Sequence, residues 1–314
     1  MANLRVGSYE VVDRYAVGGV AEIYRCRDVR SGDVVALKRM KPEAARDASV
    51  RRGFFREADL ARMMSHRNLV HCHETSREQG KEWAVYDFVD GPDLERILTR
   101  ALDRRVKIPV DFSLHIIREV LDGLHFAHML GGSDGRSLGF VHRDLSPRNV
   151  FVAYDGRVRV GDLGCATLTL IEPLPPDVVG SPGYLSPEQA RGEPLDHRSD
   201  VYAVGVVLYE LLVGARAFDV AGKKDAKVLE LHKKGKMKAV PSSLPAPLRA
   251  IIERACQVDP EKRYATAAEM RDAVDADLRT RNSSVSELAI AALTRNLFRE
   301  EYQVSRLPGS PLAF

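Results

Sequence analysis

A chain of 314 residues, 45% hydrophobic and 29% charged, is long enough to bury a sizeable core in one large or two small domains. Its 47 basic and 44 acidic residues leave a formal charge of +3, too balanced to argue for a nucleic-acid partner. Four scattered cysteines (Cys26, Cys72, Cys165, Cys256) form no C-x-x-C pair and show no metal-ligand spacing, a pattern that suits a reducing cytoplasm. Met1 to Arg14 lacks the apolar core of a signal peptide, and Glu210 interrupts the longest apolar run, Val201 to Val213. The expectation is a soluble chain with no membrane partner.

Tyr9 to Leu37 reads as strands broken by turns, with Gly18-Gly19 between two of them. A glycine pair there lets backbone amides approach phosphate oxygens, or simply closes a hairpin. Val35-Ala36-Leu37-Lys38 ends a strand on a lysine, which is either a surface group or a buried cation needing a partner. Glu57 offers that partner from Val50 to Met64, a helical stretch with Phe54, Ala58 and Ala61 on one side. His66, His71 and His73 follow, without the spacing of a closed metal site.

Trp83 to Gly91 is a strand running into a turn, and Asp93 stands as N-cap ahead of Leu94 to Leu98. Asp111 to Leu130 carries apolar residues at helical spacing, and Gly131 to Gly139 is a glycine-rich loop. Next comes Phe140-Val141-His142-Arg143-Asp144-Leu145-Ser146-Pro147-Arg148-Asn149-Val150-Phe151. A hairpin turn at Tyr154-Asp155-Gly156 joins two short strands and leads to Gly161-Asp162-Leu163-Gly164. Three oxygen-bearing side chains (Asp144, Asn149, Asp162) on adjacent loops suit a hard divalent cation and a proton acceptor.

At this point the sequence resembles the eukaryotic-like serine/threonine protein kinases of bacteria, with their H-R-D-x-x-x-x-N catalytic loop and D-F-G metal loop. Further motifs follow in kinase order: Ser186-Pro187-Glu188, Asp196 to Gly205, and Asp259 to Tyr264, with Arg263 expected to pair with Glu188. The resemblance implies an α+β bilobal fold: a leader at 1–8, a kinase domain at 9–279 (small lobe 9–88, large lobe 89–279), and an extension at 280–314. Ser284-Val285-Ser286-Glu287 reads as a capping box opening one amphipathic helix in that extension, docked on its own large lobe or on a partner.

The resemblance also implies roles. Asp144 would accept or orient the substrate hydroxyl, Asn149 and Asp162 would hold magnesium, and Lys38, held by Glu57, would position the ATP phosphates. Ala16, Val17, Gly18 and Gly19 would cover the nucleotide, with Ala16 and Ala21 replacing two glycines of the family loop. Ile23, Ala36 and Phe151 would sandwich adenine, and Tyr86 would be the gatekeeper. Backbone groups of Asp87, Phe88 and Val89 would bond the base edge, and Asp93 the ribose. Ser146 replaces the lysine usual in serine/threonine kinases, and Arg148 is expected to substitute for it at the γ-phosphate, or else to be an exposed loop residue. Arg143 marks control by a phosphate on the activation segment, yet no serine or threonine lies between Leu170 and Gly180. Either Thr167 or Thr169 is used, or the segment needs no phosphate. The implied function is transfer of the γ-phosphoryl of Mg-ATP to protein hydroxyls, with a partner-binding scaffold lacking activity as the competing class.

Overall fold

The computed structural model describes residues 5–305 apart from 79, 133, 171–177, 221, 223 and 224. The stretch between Leu170 and Gly180 read above, and the loose terminal segment expected at Pro308 to Pro311, therefore lie largely outside the described residues.

Strands β1 (Arg5–Val6), β2 (Tyr9–Val17), β3 (Ala21–Asp28) and β4 (Val34–Met40) run antiparallel. A short helix α1 (Pro42–Ala45) and the longer α2 (Ala48–Met63) precede β5 (Cys72–Ser76) and β6 (Trp83–Asp87). The sheet order is β1-β2-β3-β4-β6-β5. Side chains alternate across it. Val35, Leu37 and Val85 point to one face and close over Tyr9, Cys26 and Trp83, with the Tyr9 and Trp83 rings edge-on at 5.8 Å. The intervening Ala36 and Lys38 therefore face the other side, toward the second lobe. Helix α2 starts two residues before the expected Val50, because Asp47 caps it by accepting from the amides of Ser49 and Val50.

The second lobe is mostly helical: α3 (Leu94–Asp103) and α4 (Val110–His128), then β7 (Phe140–Val141), β8 (Val150–Val152), β9 (Val158–Val160) and β10 (Thr167–Leu168). Helices α5 (Pro187–Arg191), α6 (Arg198–Val213), α7 (Asp225–Lys233), α8 (Ala246–Ala255) and α9 (Ala267–Thr280) follow. Strands β8 and β9 pair through the turn expected at Tyr154 to Gly156, and β7 pairs with β10. Helix α6 is buried on every face from Ser199 to Leu212, as an apolar sequence without a polar stripe requires.

The extension holds two helices rather than one: α10 (Glu287–Leu297) and α11 (Arg299–Ser305). The break falls at Phe298, which has left the helical region at φ −121°, ψ 44° and is fully buried. The expected capping box does not form. Ser286 is the N-cap and makes no side-chain bond, while Glu287 pairs with Arg67 instead of folding back on its own helix.

Candidate active site

Between the two lobes lies a cleft of about 260 Å³. Strands β3, β4 and β6 supply its roof through Ile23, Ala36, Lys38 and Tyr86, which share the inward face set by the alternation of the sheet. Helix α2 adds Glu57 and the β8–β9 side adds Phe151, Gly161 and Asp162. Asp87, Phe88 and Val89 form the connection between lobes and line the back of the cleft, while Arg148 and Asn149 stand at its catalytic end.

Lys38 Nζ donates to both Glu57 oxygens at 2.7 and 2.8 Å. Burial opposes the lysine charge, but the carboxylates of Glu57 and Asp162 outweigh it and hold the pKa above the ordinary lysine value. The Tyr86 hydroxyl reaches Glu57 Oε1 at 3.4 Å, so the expected gatekeeper also caps this ion pair.

The catalytic loop is fixed from below. Asp200, buried at the start of α6, accepts from the amides of His142 and Arg143 at 2.9 and 3.0 Å and from the His128 ring at 2.8 Å. Asn149 Nδ2 donates to the Asp144 carbonyl at 2.7 Å and to its carboxylate at 3.1 Å. With the amide nitrogen committed, Oδ1 of Asn149 is the atom left to accept or ligate. Gly161 N donates to the Asn149 carbonyl at 2.9 Å, which sets Asp162 beside Asn149. Asp162 takes a positive φ of 61°. A carboxylate and an amide oxygen converging on one cleft form a hard oxygen set, which fits a divalent cation completed by phosphate and water oxygens.

Not every expected residue lines the cleft. Ala16, Val17, Gly18 and Gly19 lie beyond it at the β2–β3 tip, where Gly18 N bonds the Ala21 carbonyl and Val17 is exposed. Tyr15 lines the cleft in their place, edge-on to Phe88 at 5.3 Å. Tyr15 is the extra residue of a β-bulge between the Arg14–Tyr24 and Ala16–Ile23 pairs, so strict alternation along β2 misassigns its face. Asp93 also falls outside the lining. Its carboxylate accepts from Arg96 N at 2.8 Å as the N-cap of α3. Asp144 lies outside as well, joined to the cleft through Asn149. The Asp87 amide, expected at the base edge, already donates to the His71 carbonyl at 3.0 Å. Ala61, Val70 and Leu163, which sequence reasoning missed, complete the apolar lining. Gly91 ends the connection where an added Cβ would come within 2.2 Å of the Val152 carbonyl, so only glycine fits there.

Among the described residues no three His, Cys, Asp or Glu side chains converge on a metal. His66 faces Asp122, His71 bonds the Met64 carbonyl and His73 bonds Asp87. Burial pushes the Cys165 thiol up to about 11, with the Asp144 and Asp162 charges adding to the shift, so this cysteine is a poor nucleophile at neutral pH. Thr167 is buried within β10, and Thr169 donates to the Gly139 carbonyl at 3.0 Å. Arg263 and Glu188 make two parallel bonds of 2.7 Å.

The protein kinase domain family matches residues 9–274. This chain belongs to that family. It is 33% identical to the tyrosine-protein kinase MasK of Myxococcus xanthus over 312 residues, 96% of this chain and 48% of that protein. It is 32% identical to the serine/threonine-protein kinase PknB of Mycobacterium tuberculosis over 276 residues, 84% of this chain and 42% of that protein. The chain thus spans less than half the length of these curated relatives. Among solved structures, the kinase domain of Mycobacterium tuberculosis PknI superposes with a TM-score of 0.63 at 26% identity, covering 88% of this chain and 98% of that one. The fold is the bilobal kinase fold, and the family uses ATP and a divalent metal on protein substrates.

Proposed function

We propose that this chain is a bacterial signalling kinase that transfers the γ-phosphoryl of Mg-ATP to serine or threonine hydroxyls of proteins, its own included. The observation carrying this reading is the convergence of Lys38, Glu57, Asn149 and Asp162 in one cleft, with Asp144 bonded to Asn149 at its end. Losing a loop glycine at Ala16 or Ala21 weakens positioning only, whereas Lys38, Glu57, Asp144, Asn149 and Asp162 are all present; this favours an enzyme over an inactive scaffold.

Asp144 orients the acceptor hydroxyl and takes its proton. Its Oδ1 accepts from Ser181 N at 2.6 Å, which ties the carboxylate to a residue lining the neighbouring groove. Lys38 holds the α- and β-phosphates and is itself held by Glu57. Asn149 Oδ1 and the Asp162 carboxylate would hold the magnesium, which when bound neutralises phosphate charge. Ile23, Ala36 and Phe151 pack the base. Arg148 is exposed, lines both the cleft and the groove beside it, and has no ion-pair partner among the described residues. Its guanidinium supplies the cation that Ser146 lacks. The four free cysteines suit a reducing cytoplasm. The domain spans 9–279, with a leader at 1–8 and an extension at 280–314 that carries α10 and α11.

The test is incubation of the purified chain with magnesium and γ-labelled ATP, beside Asp162→Ala, followed by phosphoamino-acid analysis. Label on serine or threonine in the wild type alone supports the proposal. Label on tyrosine alone would move the chain toward the specificity for which MasK is named. No label, on itself or on a generic basic protein, would favour the scaffold.

A further inference from the structure

The family match ends at residue 274, yet α10 and α11 are built into the molecule. Helix α3 presents Arg96, Arg100 and Arg104 four residues apart, one stripe along its length. Phe298 is fully buried beneath that stripe, with the Arg100 and Arg96 guanidinium carbons 4.5 and 5.4 Å from its ring centre. Arg100 also pairs with Glu301 and donates to the Leu297 carbonyl at 3.3 Å, and Arg104 reaches the Asn296 carbonyl. The other side of the helix pair grips the β8–β9 turn. Arg295 Nε donates to the Tyr154 carbonyl at 2.7 Å, and the Tyr154 and Tyr302 rings lie 5.0 Å apart. Gly156, at φ 95°, passes so close to Glu287 that an added Cβ would lie 1.9 Å from its carbonyl oxygen.

These two grips bracket the segment that leaves the cleft. Tyr154 N bonds the Asp90 carbonyl at 2.8 Å and Val152 N bonds the Pro92 carbonyl at 2.9 Å. Asp93 bridges to Phe151 and caps α3 through the Arg96 amide. Pulling α10 and α11 away would expose Phe298, break the Arg100–Glu301 pair and loosen the face of α3 that carries Arg96, whose amide donates to the Asp93 cap. The alignment with MasK covers 96% of this chain and so runs into these helices.

We propose that α10 and α11 are a fixed part of the catalytic unit, with Phe298 a positioning residue that acts through α3 to hold its N-cap Asp93, which lies beyond the cleft lining, toward the ribose of a bound nucleotide. The ribose half of this inference rests on the nucleotide reading above. Phe298 lies outside the cleft and packs against Arg96 and Arg100 of α3.

The test uses the full chain with Phe298→Ala and, because emptying a buried site endangers folding, Arg100→Met, which keeps an apolar stem while removing the cation and its ion pair. Amide exchange of residues 93–103 and 151–156 is followed together with kcat and KM for ATP and for 2′-deoxy-ATP. The expected result is exchange about tenfold faster in both segments. KM for ATP rises about fivefold with kcat within about twofold, and the preference for ATP over 2′-deoxy-ATP shrinks, the size of one lost hydrogen bond. Exchange that quickens only within α10 and α11, or an unchanged KM and ribose preference, would overturn the proposal. A wild type that binds no nucleotide would overturn the functional reading and the ribose half with it, while the exchange arm still decides whether the helices hold α3.

Discussion

Lys38 Nζ sits between the two carboxylate oxygens of Glu57, 2.7 and 2.8 Å away, with the Tyr86 hydroxyl closing over the same carboxylate. An ammonium in a cleft is costly unless paired, and removing one partner strands the other. Glu57→Gln is expected to lower kcat/KM about 100-fold by letting the lysine swing from the phosphates. Steady-state kinetics beside a thermal melt checks this. A loss of activity that merely tracks a loss of folded protein would count against the positioning role.

Among the described residues Arg148 has no competing ion pair, which in the proposed reaction leaves its cation free for the transferred group. Arg148→Ala is expected to reduce kcat about 100-fold, the scale of losing one electrostatic stabiliser, with Arg148→Lys recovering part of it. Single-turnover phosphoryl transfer at saturating ATP is the measurement. Unchanged turnover in Arg148→Ala would leave Ser146 uncompensated and remove the arginine from the mechanism.

The Arg263–Glu188 pair is buried and bidentate, and Arg263 also donates to the carbonyls of Gln257, Val258 and Arg198. Burial would raise the Glu188 pKa, but the bonds from Arg263 and Ser199 more than offset it and bring the value below that of an ordinary glutamate. Arg263→Ala strands this carboxylate and is expected to cost about 3–5 kcal/mol of stability. Urea unfolding measures it, and a loss below about 1 kcal/mol would mean that the pair holds nothing together.

His232 is fully buried against Phe218, bonded to the Leu185 carbonyl at 2.8 Å, and burial lowers its pKa to about 4. The unfolded chain takes up this proton near pH 6.5, the native chain only near 4. The unfolded state therefore binds more protons between those values, and stability falls as pH drops through that window. The loss amounts to about 3 kcal/mol by pH 4, and His232→Gln should flatten this part of the stability–pH curve.

Thr167 is locked in the β7–β10 pair and buried, so a kinase cannot reach its hydroxyl without melting the strand. Phosphosite mapping of autophosphorylated protein is expected to find Thr167 unmodified. The double variant Thr167→Val, Thr169→Val should keep at least about half of the wild-type rate. Phosphate on either threonine together with an inactive double variant would show that the segment is switched on there.

Much of the candidate site is legible because the family's motifs tie residue types to short spacings. Asp144 and Asn149 lie on one loop, Asp162 follows one hairpin later, and the hairpin turn announces itself in Tyr154-Asp155-Gly156. Less legible were residues whose position depends on strand irregularity or on a partner distant in sequence. The bulge at Tyr15 shifts the parity of β2, so Tyr15 enters the cleft where Ala16 to Gly19 were expected. The Ser284-to-Glu287 pattern met the rule for a capping box, but Arg67 lay within reach of Glu287 and an ion pair displaced the cap.

The sequence by itself determined the family and the order of the lobes, because each depends on motifs whose residues are local or follow one another in fixed order. Tertiary structure alone decided which groups share the cleft, that Thr167 is sealed in a strand, and that Phe298 breaks the terminal helix to lie under Arg96 and Arg100. Burial and pairing between residues as far apart as 67 and 287 are properties of three-dimensional proximity, and no local pattern encodes them.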